Sequence, residues 1–167
     1  MKRRSGLLAG IGGGVTATLV MDATMVLAAK LAPDAFGSNK TDPGMIGRWA
    51  AGLARGRWRH EDISTEPPVR GELWIGLAAH YATGIVLTGA YLAAARRGGR
   101  RPGVVSGTAW GVATSILPLL VMYPSMGYGA CGQQSGDARR IVGAMLLGHL
   151  AFGAGIGAWV AVSNRRR

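Results

Sequence analysis

The sequence predicts an all-α membrane protein: a four-helix transmembrane bundle built from two tandem two-helix repeats, with a short amphipathic helix in the first outer loop. Three observations carry this expectation. First, residues 3–21 return as residues 100–118, so that Arg3-Arg4, Gly6, Gly10, Gly14 and Val15 answer to Arg100-Arg101, Gly103, Gly107, Gly111 and Val112. A second echo pairs His80-x-Ala82-x-Gly84 with His149-x-Ala151-x-Gly153, each followed by a double arginine. Second, four stretches are nearly free of charge in a chain that is 49% hydrophobic and only 16% charged. Third, the basic residues gather beside those stretches on one side only.

The uncharged stretches run over about 6–31, 73–95, 104–123 and 141–162. Each reaches the roughly 20 residues that a helix needs to cross about 30 Å of hydrocarbon. A soluble helix shows a polar face at helical period. These four are apolar all round, broken mainly by Gly, Ser and Thr. The whole chain, 1–167, is therefore read as a single transmembrane domain in a lipid bilayer. The first stretch begins like a secretory signal but is too long for one. Its duplicate is an internal span, so a retained helix is expected.

Lys2, Arg3 and Arg4, then Arg96, Arg97, Arg100 and Arg101, then Arg165, Arg166 and Arg167 flank the spans with no acid among them. Basic short loops stay in the cytoplasm. Both termini and the middle loop are thus expected inside a bacterial inner membrane, with residues 32–72 and 124–140 outside. The formal charge of +11 is in this reading a topology signal. Nucleic-acid binding is not expected, because the basic residues sit in short hinges and not in one patch.

The glycine ladders Gly6, Gly10, Gly14 and Gly103, Gly107, Gly111 have small-xxx-small spacing, which lets helix backbones approach closely in lipid. The two ladders are predicted to meet, crossing the first span over the third, with Gly153 and Gly157 as a further contact on the fourth. Pro118 is expected to loosen the outer end of the third span. Trp74, Tyr123, Tyr91 and Trp159 fall at span ends, where an aromatic belt is expected. In the first outer loop Asp42-Pro43 is a helix start, an acid N-cap followed by proline. Met45, Ile46, Trp49, Ala50 and Leu53 then recur at helical spacing, which predicts an amphipathic helix over about 43–58 lying on the outer surface.

Three ionisable side chains fall inside spans. Counted from the outer ends at 1.5 Å per residue, His80 lies roughly 10 Å deep, His149 roughly 12 Å and Asp22 roughly 13 Å. Such groups are costly in lipid and usually face a bundle interior. They form the candidate ligand site, with Glu72 and His60 near its mouth and Met122 and Met126 beside it. Several readings stand side by side. Asp22 and a histidine can exchange a proton along a transport path. Soft sulfur with imidazole suits copper(I). His80 and His149, in equivalent positions, are candidate metal ligands and can hold a haem iron axially. All three groups can equally be structural links between helices. No catalytic residues are assigned, since no zinc-protease helix, P-loop, dinucleotide fingerprint or distinctive nucleophile triad is present. One cysteine, Cys131, excludes an internal disulfide. Four thin glycine-rich helices leave a homo-oligomer or a membrane-protein partner open.

With these residues in view, the chain resembles a family of small bacterial membrane proteins, the family of unknown function numbered 2938. The resemblance rests on Met21-Asp22, Gly47-Arg48-Trp49, Gly56-Arg57-Trp58-Arg59-His60 and Pro68-Val69-Arg70-Gly71-Glu72. It continues through His80-Tyr81-Ala82-Thr83-Gly84, Pro118, Met122-Tyr123-Pro124-Ser125-Met126-Gly127 and His149-Leu150-Ala151-Phe152-Gly153. The family pattern often has Gln where Tyr123 stands and Trp where Leu77 stands. The resemblance implies an inner-membrane protein and no particular chemistry. It does place Asp22, His60, Glu72, His80 and His149 within the family's motifs.

Overall fold

The computed structural model describes residues 2–36 and 42–165, with side chains from 10 to 36 and from 42 to 163. Every regular element among these residues is helical. In order they are α1 (Lys2–Leu31), α2 (Pro33–Phe36), α3 (Pro43–Ala54), α4 (Glu72–Arg97), α5 (Val104–Thr114), a π turn (Pro118–Met122), α6 (Tyr123–Ser125), a 3-10 segment (Ala130–Ser135) and α7 (Ala138–Arg165). Four stretches are long and apolar enough to cross a membrane: Gly10–Leu31, Glu72–Arg97, Val104–Ser125 and Ala138–Ser163. Their large apolar side chains are widely exposed, among them Val26 at 56%, Val86 at 67% and Val105 at 86%. Water does not tolerate so much contiguous apolar surface, and lipid does. The chain is a membrane protein.

The third span shows what Pro118 does. Proline has no N–H for the carbonyl four residues back, so the regular helix stops at Thr114 and the chain re-forms as a wider turn. Tyr123 N–H then donates to Pro118 O, five residues back.

The chain divides into two compact units. Unit one comprises Met1–Leu27, Tyr81–Thr114 and Leu146–Arg167. Its core is Ala17, Tyr91, Leu92, Phe152, Ile156 and Val160. The glycines set its packing, but not in the predicted pairs. Gly14 lies against the backbone of Gly84 and Ile85, and Gly10 faces Gly89, so α1 meets α4. Gly107 and Gly111 lie against Gly153 and Gly157, so α5 meets α7. Each ladder thus meets the span that comes next in the chain, and the expected meeting of the two ladders gives way to two hairpins. Ladder spacing makes close approach possible but carries no information about which partner it meets. The contacts of Gly6 lie outside the described residues, and Gly103 has open space where a Cβ would be.

The aromatic belt is also corrected. Trp74 is 73% exposed and fits a boundary position. Tyr91 is buried, and its hydroxyl bonds Ser106 Oγ at 2.7 Å and accepts from Gly103 N–H. It therefore fastens the α4–α5 connection. Trp159 packs over Gly12 and Gly13 of α1. Tyr123 is wholly buried in unit two. Position along a helix does not say which way a ring faces.

Unit two comprises Ala28–His80 and Ser115–Met145. Its core is Ile63, Leu119, Tyr123, Met126, Tyr128, Ile141 and Met145. Helix α3 begins as predicted, with the Asp42 carboxylate accepting from Met45 N–H at 2.8 Å. It ends earlier, at Ala54, because Gly56 turns the chain at a φ of +77° and its N–H donates to Leu53 O. Its apolar stripe is used within the unit. Met45, Ile46 and Trp49 pack on the Ile63–Tyr123 core, and Gly47 and Gly76 bring the backbones of α3 and α4 into contact. The expected surface-lying helix is instead a docked one.

Candidate functional site

Unit one holds two polar pairs inside its spans. Asp22, half-buried on α1, accepts a hydrogen bond from the Tyr81 hydroxyl of α4 at 2.9 Å. Met21 and Met25, one residue before and three after Asp22, lie against Gly148 of α7. His149, buried on α7, has Nδ1 3.0 Å from Thr114 Oγ1 on α5. Thr114 has one hydroxyl hydrogen, and it goes to Gly111 O at 2.7 Å. The Thr114 oxygen is thus an acceptor towards His149, and Nδ1 carries the ring hydrogen. His149 also packs edge-on to Phe152, with ring centroids 6.4 Å apart. Each pair ties helices that glycines already hold close. A side chain at Gly111 would strike His149 O, so the same close approach that pairs α5 with α7 lets Thr114 reach the imidazole.

Tyr81 and Thr114 were not among the predicted site residues. Spacing gives depth, but the partner of a buried polar group depends on helix rotation, which only the packed structure supplies. His80, half-buried, is the last residue of unit two and precedes Tyr81 on α4. Successive helical residues point roughly 100° apart, so His80 and Tyr81 face differently.

Unit two collects most of the remaining charged candidates. Arg48 is buried on α3 and makes a two-pronged contact with Glu72, Nε to Oε2 and Nη2 to Oε1, both at 2.9 Å. Its Nη1 donates to Ile63 O at 2.8 Å and to Glu66 O. The Glu72 hydrogen bonds hold the Arg48 guanidinium above its ordinary pKa. Glu72 Oε2 also accepts from Val69 N–H at 2.9 Å. Glu72 was expected near the mouth of a ligand site. Its carboxylate is instead engaged by Arg48 and the Val69 backbone, and clasps α3 and the connection to the start of α4. Met126 was expected beside that mouth, yet it is fully buried in the apolar core, with Met122 packed against the same cluster. Both sulfurs fill space there.

His60 is buried, with Nδ1 2.8 Å from Glu66 Oε1, and Arg57 Nη2 donates to that same oxygen at 2.6 Å. The His60 backbone N–H donates to Ser125 O, and Ile63 N–H donates to Met126 O. The long connection after α3 is thereby fixed to the segment after the π turn. Among the described residues no group of three or more His, Cys, Asp or Glu side chains is arranged to hold a metal ion.

Residues 11–163 match the model of a family described as a protein of unknown function, DUF2938. No curated protein and no solved structure matches the chain.

Proposed function

Starting from the premise that the chain belongs to the DUF2938 family, we propose that it is a multi-pass inner-membrane protein that binds or moves a small species, a proton, metal ion or small solute, at the titratable groups of its spans. Asp22 carries this reading. A carboxylate within an apolar helix is expensive to insert, and the Tyr81 hydroxyl of α4 holds it at 2.9 Å. Residues kept at such a cost are usually functional. His149 and His80 are the further candidates, one on α7 and one beside Tyr81 on α4.

Two finer features belong to the same proposal. The chain is a duplicated hairpin, and the packing supports this. Gly14 meets Gly84 in one hairpin, and Gly111 meets Gly153 in the other. These are the residues that the repeat in the sequence aligns. Both termini face the cytoplasm, supported by the acid-free arginine clusters at Arg96–Arg101 and at the chain ends.

Proteoliposomes containing the protein test the reading. Assayed for proton-linked and divalent-metal flux, the wild-type chain should pass one of them. Asp22→Asn should abolish that flux while the protein stays folded, and Tyr81→Phe should retain part of it. Equal flux with and without the Asp22 carboxylate would make the pair a structural link and end the proposal.

A further inference from the structure

A partly open cavity of about 330 Å³ lies in unit two, between the end of α3 and the connection that follows it. Its wall brings together Arg48, Arg55 and Arg57 with His60 and one carboxylate, Glu66. Two of the three cations are already matched, Arg48 by Glu72 and Arg57 by Glu66. Arg55, exposed at the rim, has no carboxylate partner among the described residues. The wall therefore keeps a positive surplus and favours an anion.

His60 narrows the choice. Its side chain is 1% exposed, and its Nε2 is buried with no hydrogen-bond partner. Arg57 and His60 both address Glu66 Oε1. The carboxylate oxygen accepts from the guanidinium and faces Nδ1 as well, so a ring hydrogen sits on Nδ1. When the ring is neutral, Nε2 is a bare lone pair, and a buried acceptor without a donor is destabilising. Gly52, also in the wall, packs closely against the ring, since a Cβ there would stand 3.0 Å from Nε2.

We propose that this cavity binds a small phosphate-type anion that retains one O–H, either inorganic phosphate or the monoanion of a phosphomonoester, with Arg55 and Arg57 facing its charge and His60 Nε2 accepting its hydroxyl. The surplus charge and the orphaned lone pair ask for different things, and one ligand has to supply both. Carboxylates and sulfate at neutral pH bring charge without an O–H donor. Neutral sugars bring donors without charge. A phosphate with one acidic hydrogen brings both, and Arg is well suited to its oxygens. The site is separate from the pairs within the spans and does not depend on transport.

Calorimetric titration of the full chain in phosphatidylcholine nanodiscs, at neutral pH, tests this with inorganic phosphate and sulfate as probes. Phosphate should bind, and sulfate, of the same shape but without the hydrogen, at least about tenfold more weakly. Arg55→Gln should weaken phosphate binding several-fold with an unchanged melting midpoint, because Arg55 is exposed and outside the core. Displacement by phosphatidic acid built into the discs, or by glycerol phosphate added in solution, then separates a lipid monoester from a soluble one. Equal affinity for the two probes, or no binding of either by folded protein, overturns the proposal.

Discussion

Arg48 and Asp22 are both charged side chains in an apolar chain, and their surroundings differ. Arg48 is held at every nitrogen, by two carboxylate oxygens and two backbone carbonyls from three other places in the sequence. Asp22 is held by a neutral hydroxyl, and His149 likewise by the hydroxyl of Thr114. In unit two the ionic groups join elements to one another, beside an apolar core. They fasten the long connection to α3, whose apolar stripe packs on the core beside them. In unit one, glycine contacts and the Phe152–Ile156 core do that work, and polar groups are added to helices already in place.

That contrast can be broken by measurement. The largest effect is expected for Arg48→Met, which removes the guanidinium and leaves a partly buried Glu72 carboxylate without its counter-charge. A loss of about 3–5 kcal/mol is expected, read as a large drop in melting midpoint in detergent and as protease sensitivity of the 55–71 connection. Next comes Gly111→Val, which inserts a branched side chain where α5 and α7 touch through backbone. About 1–3 kcal/mol should be lost through forced separation, visible as a lower midpoint and as a longer spin-label distance between α5 and α7. The smallest is Thr114→Val, which leaves the shape intact and removes the acceptor for His149. Hydrogen bonds between membrane helices average about 0.6 kcal/mol, so the midpoint should barely move. Equal losses for Arg48→Met and Thr114→Val would remove the distinction between the two units.

Legibility from the sequence followed the range of the interaction. The four spans and the start of α3 were readable because hydropathy, an N-cap acid and a proline act within a few residues of themselves. The hydropathy pattern runs four residues past the true end of α3 at Ala54, because the stop comes from the backbone turn at Gly56 and not from a change in polarity. The ladders were readable as packing surfaces, yet nothing in Gly14 says whether it will meet Gly84 or Gly111. Tyr91 and Tyr123 were misplaced for a related reason, since a ring near a helix end can face inward as easily as outward. The clasp of Arg48 on Glu72 joins residues separated by a loop of no regular pattern, and only the docking of Gly47 on Gly76 brings them together. For the candidate site, Asp22 and His149 were singled out by their cost in lipid. Tyr81 and Thr114, which carry no such cost, were not.

The backbone contact of Gly107 and Gly111 with Gly153 and Gly157 also governs how this family can drift. Among the described residues, outward-pointing valines and leucines face no protein neighbour and can be traded for one another at little cost. The crossing admits no such trade, because a methyl added to one strut demands retreat by the other. Distant relatives should therefore be recognisable less by overall identity than by four hydrogens standing where side chains would otherwise begin.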